Sequence, residues 1–269
     1  EGESLADGTA RTLISPHGEV HLQMLTLIEQ EKGIRQPSEY RAVLTAVAAG
    51  KTGLNQITTT TGLEEHVVRY ALGSLIDLGL IRAERNFEAG KKAPYRYVIA
   101  DRAVEFWHRF LVPYRSRLVT EDARRFWDGH VARNLDTYMG RPFEAIVRQA
   151  YGRYHERWGL PETSEWSRWE GVDRERQSVE IDIAARLADG RLLVGGVRWS
   201  SSPCGFSLHT DLLRKLARLA VSGQGWARDT EEARYIYASA AGFTSEMEAL
   251  AAEDPRVRLL TLSDLYPER

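Results

Sequence analysis

The sequence is poor in the residues and patterns that mark several protein classes. Cysteine occurs once, at Cys204, which excludes an intramolecular disulfide and a cysteine-based zinc site. A lone cysteine is typical of a reducing compartment, and we expect the protein in the cytoplasm. No apolar run approaches the ~20 residues of a membrane-spanning helix, so we expect no membrane partner. The seven histidines are scattered without the spacing of metal ligands.

An excess of charge of one sign is also missing. The formal net charge is −2, with 36 Lys and Arg residues against 38 Asp and Glu residues. No global positive field therefore attracts nucleic acid, and binding would require a local basic patch. We find no sequence repeat and no low-complexity run. With 269 residues, of which 43% are hydrophobic and 28% charged, the chain has a globular composition and enough length for two domains.

The first half of the chain has the pattern of a winged helix-turn-helix domain. Three helical segments are each closed by a glycine, and two β-rich segments follow around a Gly-containing turn. The helices are predicted at 37–50, 54–62 and 63–79, and the strands at 80–88 and 95–99. Three helices followed by a β-hairpin define the winged helix arrangement. We therefore predict this domain over residues 37–100.

The flanking segments are predicted as a tail and a connector. Residues 1–18 have no periodicity and are expected to be loose, and a short remnant helix follows that ends at Gly33. The tail and this helix together make up residues 1–36. Residues 101–139 are predicted as a helical connector whose aromatic residues form a packing seam.

The last segment, 140–269, is predicted as an α/β domain. Its order of elements is α-β-β-β-α-β-α-β, which indicates a mixed sheet. The first helix is expected to begin at Arg141, with Pro142 in its first turn. Strands are predicted at 165–171, 179–187, 191–199, 234–239 and 257–262. The fold class of the chain is therefore α/β, or α+β overall.

A phosphate-binding loop is excluded by its context. Gly50-Lys51-Thr52 matches the end of a Walker A motif, but the motif also requires a glycine where Thr45 stands. The preceding segment reads as a helix, whereas a P-loop follows a strand. We expect a helix end and a turn at this place, and no nucleotide bound by this chain alone.

The winged helix offers two interpretations, DNA recognition and a protein-binding spacer. Basic residues on the third helix and the hairpin favour contact with duplex DNA. The candidates are Arg69, Arg82, Arg85, Lys91, Lys92 and Arg96, with Lys91 and Lys92 at the tip of the wing. Against DNA stands the start of the third helix at Glu64-Glu65, because carboxylates repel phosphate and read few bases. Both interpretations stay open, and sequence-specific recognition is the less favoured form of the first.

Acidic residues in the last domain approach the pattern of a metal-dependent nuclease. Glu180 and Asp182 lie two apart on one predicted strand and so share a face, on which Glu144 could converge from the preceding helix. Such carboxylates could hold Mg²⁺ for phosphodiester hydrolysis. The next strand should supply a further carboxylate and a lysine, but it carries Gly196 and Arg198. Glycine offers no side-chain ligand, and arginine cannot exchange a proton near neutral pH.

The order of segments resembles a known family. It is similar to the C-terminal half of archaeal and bacterial AAA-type, STAND-like ATPases, in which a winged helix and a PD-(D/E)XK nuclease-like domain follow the nucleotide-binding domain. The matching segments are "YRAVLTAVAAGKTGLNQI", "LIDLGLI", "FWHRFLVPYRS", "NLDTYMGRPFEAIVRQA", "VEIDIAA" and "LLVGGVRW". The resemblance as a whole covers the chain from about Glu39 to Tyr266. The resemblance implies a nuclease-like fold for the last domain and an ATPase domain as partner.

The resemblance also implies an altered catalytic motif. The nuclease-like motif of the family consists of a glutamate on a helix, an aspartate on a strand and a Glu-x-Lys on the next strand. In this sequence the glutamate corresponds to Glu144 and the aspartate to Asp182. The Glu-x-Lys of the next strand is replaced by Gly196-Val197-Arg198. Glu180 could serve as a replacement ligand. Arg198 is expected to form a salt bridge with Asp182 or Glu144 at the former metal position.

We expect a degenerate, inactive nuclease-like domain in the effector and interaction region of a prokaryotic ATPase, with no cofactor and with contact to duplex DNA left open. One alternative is an active Mg²⁺-dependent deoxyribonuclease, and another is a protein-binding module that does not bind DNA. A rescue of activity by Asp211 and Lys215, one turn apart on the following helix, is considered. We favour a solvated surface pair for these two residues.

Overall fold

The computed structural model describes residues 3–31, 34 and 36–267. The chain divides into two compact units. The helical unit consists of Glu1–Glu84 and Pro94–Leu135, and the α/β unit of Arg85–Ala93 and Asp136–Arg269. Gly33, the predicted end of the first helix, lies outside the described residues. Within the described ranges, none of the helices has the length and apolar character needed to cross a bilayer.

The helical unit contains the predicted helices and hairpin. Its helices are α1 (Leu5–Thr9), α2 (Glu19–Thr26), α3 (Pro37–Ala48), α4 (Leu54–Thr61), α5 (Glu65–Asp77), α6 (Arg102–Phe106), α7 (Arg115–Leu118) and α8 (Ala123–Phe126), and its strands are β1 (Ile81–Glu84) and β2 (Arg96–Ile99). The strands pair antiparallel, from Ile81↔Ile99 to Glu84↔Arg96. Buried residues of α3, α4 and α5, among them Leu44, Ile57 and Leu72, form one core. The predicted order of three helices and a hairpin is confirmed.

The Walker-like segment lies at the end of a helix, as predicted. Helix α3 ends at Ala48, and Gly50 adopts a left-handed conformation with φ of 86°. The Lys51 N–H donates to the carbonyl of Ala46 over 3.0 Å, which closes the helix end. These backbone groups therefore terminate a helix and do not form a phosphate loop.

The N-terminal segment differs from the prediction. Residues 1–18 were expected to be loose, but α1 runs into a π-helical turn, Ala10–Ile14. The Ser4 side chain caps α1 by accepting the N–H of Asp7 over 3.1 Å, and Ile14 is buried. A π-helical turn has a different residue spacing from an α-helix, so a search for the α-helical period does not detect it.

The connector contains a structural repeat that the sequence search missed. Helix α6 continues into a π-helical turn at Trp107–Leu111 and a 3₁₀ turn at Val112–Tyr114. Helix α8 continues in the same way through Trp127–Val131 and Ala132–Asn134. An aspartate caps each helix, Asp101 in the first case and Asp122 in the second. The shared signal is an Asp followed by a Phe-Trp pair, which is too short to stand out as a repeat.

The α/β unit has a five-stranded mixed sheet. Its strands are β3 (Thr163–Val172), β4 (Ser178–Leu187), β5 (Leu192–Arg198), β6 (Arg234–Ser239) and β7 (Val257–Leu260), in spatial order β3-β4-β5-β6-β7. Its helices are α9 (Leu135–Tyr154), α10 (Ser207–Val221), α11 (Ser245–Glu253) and α12 (Leu262–Leu265). The pairs β3–β4 and β4–β5 are antiparallel, and β5–β6 and β6–β7 are parallel. The predicted fold class with a mixed sheet is confirmed.

Helices cover both faces of this sheet. On one face α10 packs against the sheet through buried residues such as Leu212 and Leu216. On the other face α9 does so through Phe143 and Val147. The central strand β5 is buried along nearly its whole length, as its apolar sequence requires. The sheet therefore lies between two helical layers.

Helix α9 begins earlier than predicted. It starts at Leu135 and continues through Pro142, which was expected in the first turn. A proline inside a helix removes one backbone hydrogen bond and usually ends the helix. Here Pro142 and the adjacent Phe143 are both buried in the α/β unit. We attribute the tolerance of the proline to this packing, which places Glu144 in mid-helix.

Candidate functional site

The candidate site lies where the pairing of β4 with β5 stops. The paired residues run from Arg186↔Leu192 to Ile183↔Gly195. Asp182 is the next residue of β4 beyond the last pair, on the N-terminal side of Ile183. In place of a backbone partner, the N–H of Val197 donates to the Asp182 carboxylate over 2.9 Å. The register of β3 and β4 also shifts at this level, between Ser167 and Trp169. This irregularity opens the sheet and leaves room for side chains.

Three predicted carboxylates meet at this place. Oxygen atoms of Glu144, Glu180 and Asp182 all lie within 4.8 Å of one another. The Asp182 side chain is nearly buried, with 9% of its surface exposed, whereas the Glu180 side chain is 47% exposed. The helix and the strand therefore bring together the residues that the sequence selected as catalytic or metal-binding candidates.

Arg198 forms the expected ion pair with Asp182. Its Nη1 atom lies 2.7 Å from the Asp182 Oδ2 atom and also donates to the carbonyl of Val197 over 2.8 Å. The Arg198 side chain is 44% exposed. The carboxylate that would be a central metal ligand in a nuclease therefore carries a guanidinium partner.

Arg168 is a member of the site that the sequence analysis missed. It lies on β3 at the register shift, and only 10% of its side chain is exposed. Its guanidinium forms ion pairs with Glu144 over 3.7 Å, with Glu170 over 3.5 Å and with Glu180. The signal in the sequence that could have indicated Arg168 is a basic residue between two tryptophans of a predicted strand, "EWSRWEG". Its partners depend on the register shift, which the sequence does not reveal.

The carboxylates do not fit a bound Mg²⁺ in this arrangement. Their oxygen atoms are the ligand type that Mg²⁺ prefers, and their spacing is suitable. However, Glu144, Glu180 and Asp182 each have an arginine as an ion-pair partner. A positive charge ~4 Å from a cation costs on the order of 4 kcal/mol per unit charge near a protein surface. A divalent ion would have to displace both guanidinium groups.

Asp211 and Lys215 do not form the predicted surface pair. Asp211 forms an ion pair with Arg214 over 2.9 Å, one helical turn away on α10. Lys215 is half-buried, and burial lowers its pKa, while the negative charge of Asp182 acts in the opposite direction. Both Arg214, three residues after Asp211, and Lys215, four residues after it, can reach the aspartate, and the ion pair forms with Arg214. Lys215 is therefore an electrostatic neighbour of the carboxylate site.

The two glycines of β5 have different structural roles. A Cβ atom at Gly195 would lie 2.0 Å from the carbonyl oxygen of Ile236, so the close approach of β5 and β6 requires glycine there. A Cβ atom at Gly196 would lie 3.0 Å from the Cδ1 atom of Leu208, the movable end of a side chain. A side chain at Gly196 therefore requires only a small movement of Leu208, whereas one at Gly195 meets a backbone atom.

We expect Gly195→Ala to lower the free energy of unfolding by about 3 kcal/mol, because the methyl group overlaps a backbone oxygen. The matched variant Gly196→Ala is expected to change it by less than about 1 kcal/mol. Urea unfolding followed by circular dichroism measures both values. Equal effects of the two substitutions would contradict the assigned close approach.

The predicted DNA-binding residues are divided between the two units. In the helical unit, Arg69 forms an ion pair with Glu65 over 2.7 Å and Arg82 with Glu84 over 2.8 Å. Arg96 lies on β2 at the register position opposite Glu84. These basic residues have acidic neighbours. They therefore do not form an unneutralised patch on the described part of this unit.

The first hairpin strand was predicted to extend to residue 88, but β1 ends at Glu84, and the loop Arg85–Ala93 belongs to the α/β unit. Asn86 exchanges two hydrogen bonds with the backbone of Glu170, over 2.8 and 3.0 Å, and Phe87 is buried beside Trp226. The loop therefore covers β3, the edge strand of the sheet. The sequence pattern predicts these residues only as part of the hairpin. The burial of Phe87 in another unit depends on tertiary packing, which a local pattern does not reveal.

Three basic candidates lie in this loop. The Arg85 carbonyl accepts a hydrogen bond from the Ser167 hydroxyl, so the first part of the loop is held in the α/β unit. Lys91 and Lys92 are both exposed. Among the predicted DNA contacts, these two lysines are therefore accessible residues of the unit that contains the carboxylate site.

Comparisons with known proteins give distant similarities. Residues 107–210 match a family described as "DUF234: Archaea bacterial proteins of unknown function". No curated protein matches the chain. A repair endonuclease from Pyrococcus abyssi is similar with 12% identity and a TM-score of 0.28, over 44% of this chain and 46% of that chain. The chain therefore spans less than half the length of that endonuclease.

Two further solved structures show similarity. The zinc-responsive MarR family member ZitR from Lactococcus lactis has 15% identity and a TM-score of 0.23, over 52% of this chain and 94% of that chain. The protein VC1899 from Vibrio cholerae has 13% identity and a TM-score of 0.28, over 98% of this chain and 55% of that chain.

Proposed function

We propose that the α/β unit is a nuclease-like domain without nuclease activity. In this proposal the chain is the effector and interaction region of a prokaryotic ATPase, whose ATPase domain is its partner. The observation that supports it best is the position of Arg168 and Arg198. Each forms an ion pair with a carboxylate that a metal-dependent nuclease would use as a ligand. The ATPase partner rests on the resemblance in the order of the segments.

The charges explain why this arrangement favours binding over catalysis. A nuclease of this kind needs carboxylates that are free to hold a cation, and a lysine that can exchange a proton. In this chain two guanidinium groups form ion pairs with three carboxylates, and an arginine does not replace a lysine as a proton-transfer group. Separating a guanidinium from a partly buried carboxylate costs free energy, because the carboxylate is left without its charged partner. The site is therefore a salt-bridged structural element at the point where the pairing of β4 with β5 stops.

A metal-dependent deoxyribonuclease is the second candidate. It is favoured by the convergence of Glu144, Glu180 and Asp182 within 4.8 Å and by the proximity of Lys215 to Asp182. In this alternative the arginines move aside when a divalent ion binds. The two candidates make opposite predictions for hydrolysis of DNA.

Cleavage of DNA separates the two candidates. Supercoiled and linear DNA are incubated with the protein in Mg²⁺ or Mn²⁺, with Asp182→Ala as the matched control. We expect no cleavage above the level of this variant. Activity that disappears in Asp182→Ala would refute the proposal. Activity that appears only in the double variant Gly196→Glu/Arg198→Lys would support it.

We further propose that the α/β unit contacts duplex DNA through Lys91 and Lys92. Both side chains are exposed on a loop that is anchored at Asn86 and Phe87. An anchored loop loses little conformational freedom when its lysines bind phosphate. Such contacts position a protein on DNA and do not read its sequence.

Charge reversal of both lysines tests this contact. In Lys91→Glu/Lys92→Glu, the slope of log K against log salt should become less steep by about 2, since each phosphate contact contributes ~0.9. Fluorescence anisotropy with a labelled duplex measures the slope. The exposed Lys51 provides a control, Lys51→Glu, which should leave the slope unchanged. Binding that is absent or insensitive to salt would exclude the DNA contact and favour the protein-binding alternative.

A further inference from the structure

The helical unit contains a cavity of about 430 Å³. This volume falls within the range of small-molecule sites, ~300–1,000 Å³. Apolar side chains form much of its wall, among them Leu27, Ile28, Val104 and Trp107. The wall thus offers an aromatic and several aliphatic side chains, which suit an apolar ligand body.

The charged residues that line the same cavity, among those described, are both arginines. Arg41, Arg115 and His108 line it, and no Asp or Glu does so among the described residues. Arg41 forms an ion pair with Glu29 over 2.6 Å, so its charge is partly neutralised. Arg115 has no ion pair within the part of the chain that the structure describes. The cavity therefore offers a cation that is available to an anionic group.

His108 adds a neutral hydrogen-bonding group. It is buried, and its Nδ1 atom lies 2.9 Å from the Thr45 hydroxyl oxygen. Burial lowers the pKa of His108 to about 4, and the charges of Arg115 and Arg41 act in the same direction. The imidazole is therefore neutral near pH 7. A neutral imidazole orients a ligand and does not hold a fixed charge.

We propose that this cavity binds a small organic carboxylate with a flat apolar body. The carboxylate is placed at Arg115, where two N–H groups can donate to its two oxygen atoms. The apolar body lies against Trp107 and the aliphatic wall. Inorganic phosphate lacks the apolar part, and a neutral aromatic compound lacks the charge. The proposal concerns the helical unit and is independent of the carboxylate site of the α/β unit.

Calorimetric titration of the full chain with naphthalene-2-carboxylate tests the proposal. The neutral analogue naphthalene-2-methanol should bind about tenfold more weakly or worse, because a hydrogen bond to a charged group is lost. Arg115→Gln should weaken binding of the carboxylate about tenfold and leave the neutral analogue unchanged. Arg125→Gln, an exposed arginine of the same connector that does not line the cavity, should bind as the wild type does.

Filling the cavity gives a second, independent variant. Ala42 lines the cavity, and Ala42→Leu should abolish binding of both compounds while circular dichroism shows an unchanged fold. Equal affinity for the carboxylate and the neutral analogue would overturn the proposal, as would unchanged affinity in Arg115→Gln. Absence of binding of the carboxylate at millimolar concentration would also overturn it. Competition by inorganic phosphate alone would identify a simple anion site instead.

Discussion

Arg168→Met is expected to lower the free energy of unfolding of the α/β unit by about 3–5 kcal/mol. The wild-type guanidinium is 10% exposed and lies between Glu144, Glu170 and Glu180. Methionine preserves the apolar stem but removes the charge, so the three carboxylates repel one another in a partly buried place. Urea unfolding near neutral pH measures the loss.

Arg198→Met is the matched control for this result. Its guanidinium also pairs with a carboxylate, but 44% of its side chain is exposed. Water reaches the exposed guanidinium, and the Asp182 carboxylate keeps the hydrogen bond from the Val197 N–H, so we expect a smaller loss of about 1–2 kcal/mol. A small effect of both substitutions would mean that Arg168 is a screened surface residue, and the account of a guanidinium-closed site would then be wrong.

Asp182→Asn is expected to lower the free energy of unfolding by about 2–4 kcal/mol. The Asp182 carboxylate accepts from the Val197 N–H and from Arg198, and asparagine would place an amide with weaker acceptor character against the guanidinium. The side chain is only 9% exposed, so water compensates little. Urea unfolding, again near neutral pH, gives the value.

The sign of this effect separates the two proposed functions. In a site of carboxylates that await a metal ion, like charges repel, and removal of one charge stabilises the metal-free protein. In a salt-bridged site the same change destabilises it. Glu180→Gln is the matched control, since this side chain is 47% exposed and should contribute little. A gain in stability of Asp182→Asn would favour the nuclease.

The sequence predicts the framework of this protein because its elements carry local signals. Apolar periodicity and terminal glycines predict α3, α4 and α5. The π-helical turns and the proline inside α9 were not predicted, because they depend on packing that overrides local propensity.

The candidate site was predicted in part for a similar reason. Glu144, Glu180 and Asp182 converge because their positions on a helix and a strand follow from regular geometry. Arg168 and the loop of Phe87 were missed, because both depend on the irregular edge of the sheet. A register shift changes which side chains meet, and nothing in the local pattern of β3 encodes it.

Titration with Mn²⁺ tests most directly whether guanidinium groups, and not a metal ion, neutralise the carboxylates. Calorimetry compares the wild type with Arg168→Met, and with Arg168→Met/Asp182→Asn as the control for the site. We expect the wild type to bind Mn²⁺ about tenfold more weakly than Arg168→Met, since removal of one nearby positive charge is worth on the order of 1–4 kcal/mol. The double variant should lose this gain. Tight binding of one Mn²⁺ by the wild type, abolished by Asp182→Asn alone, would contradict the account.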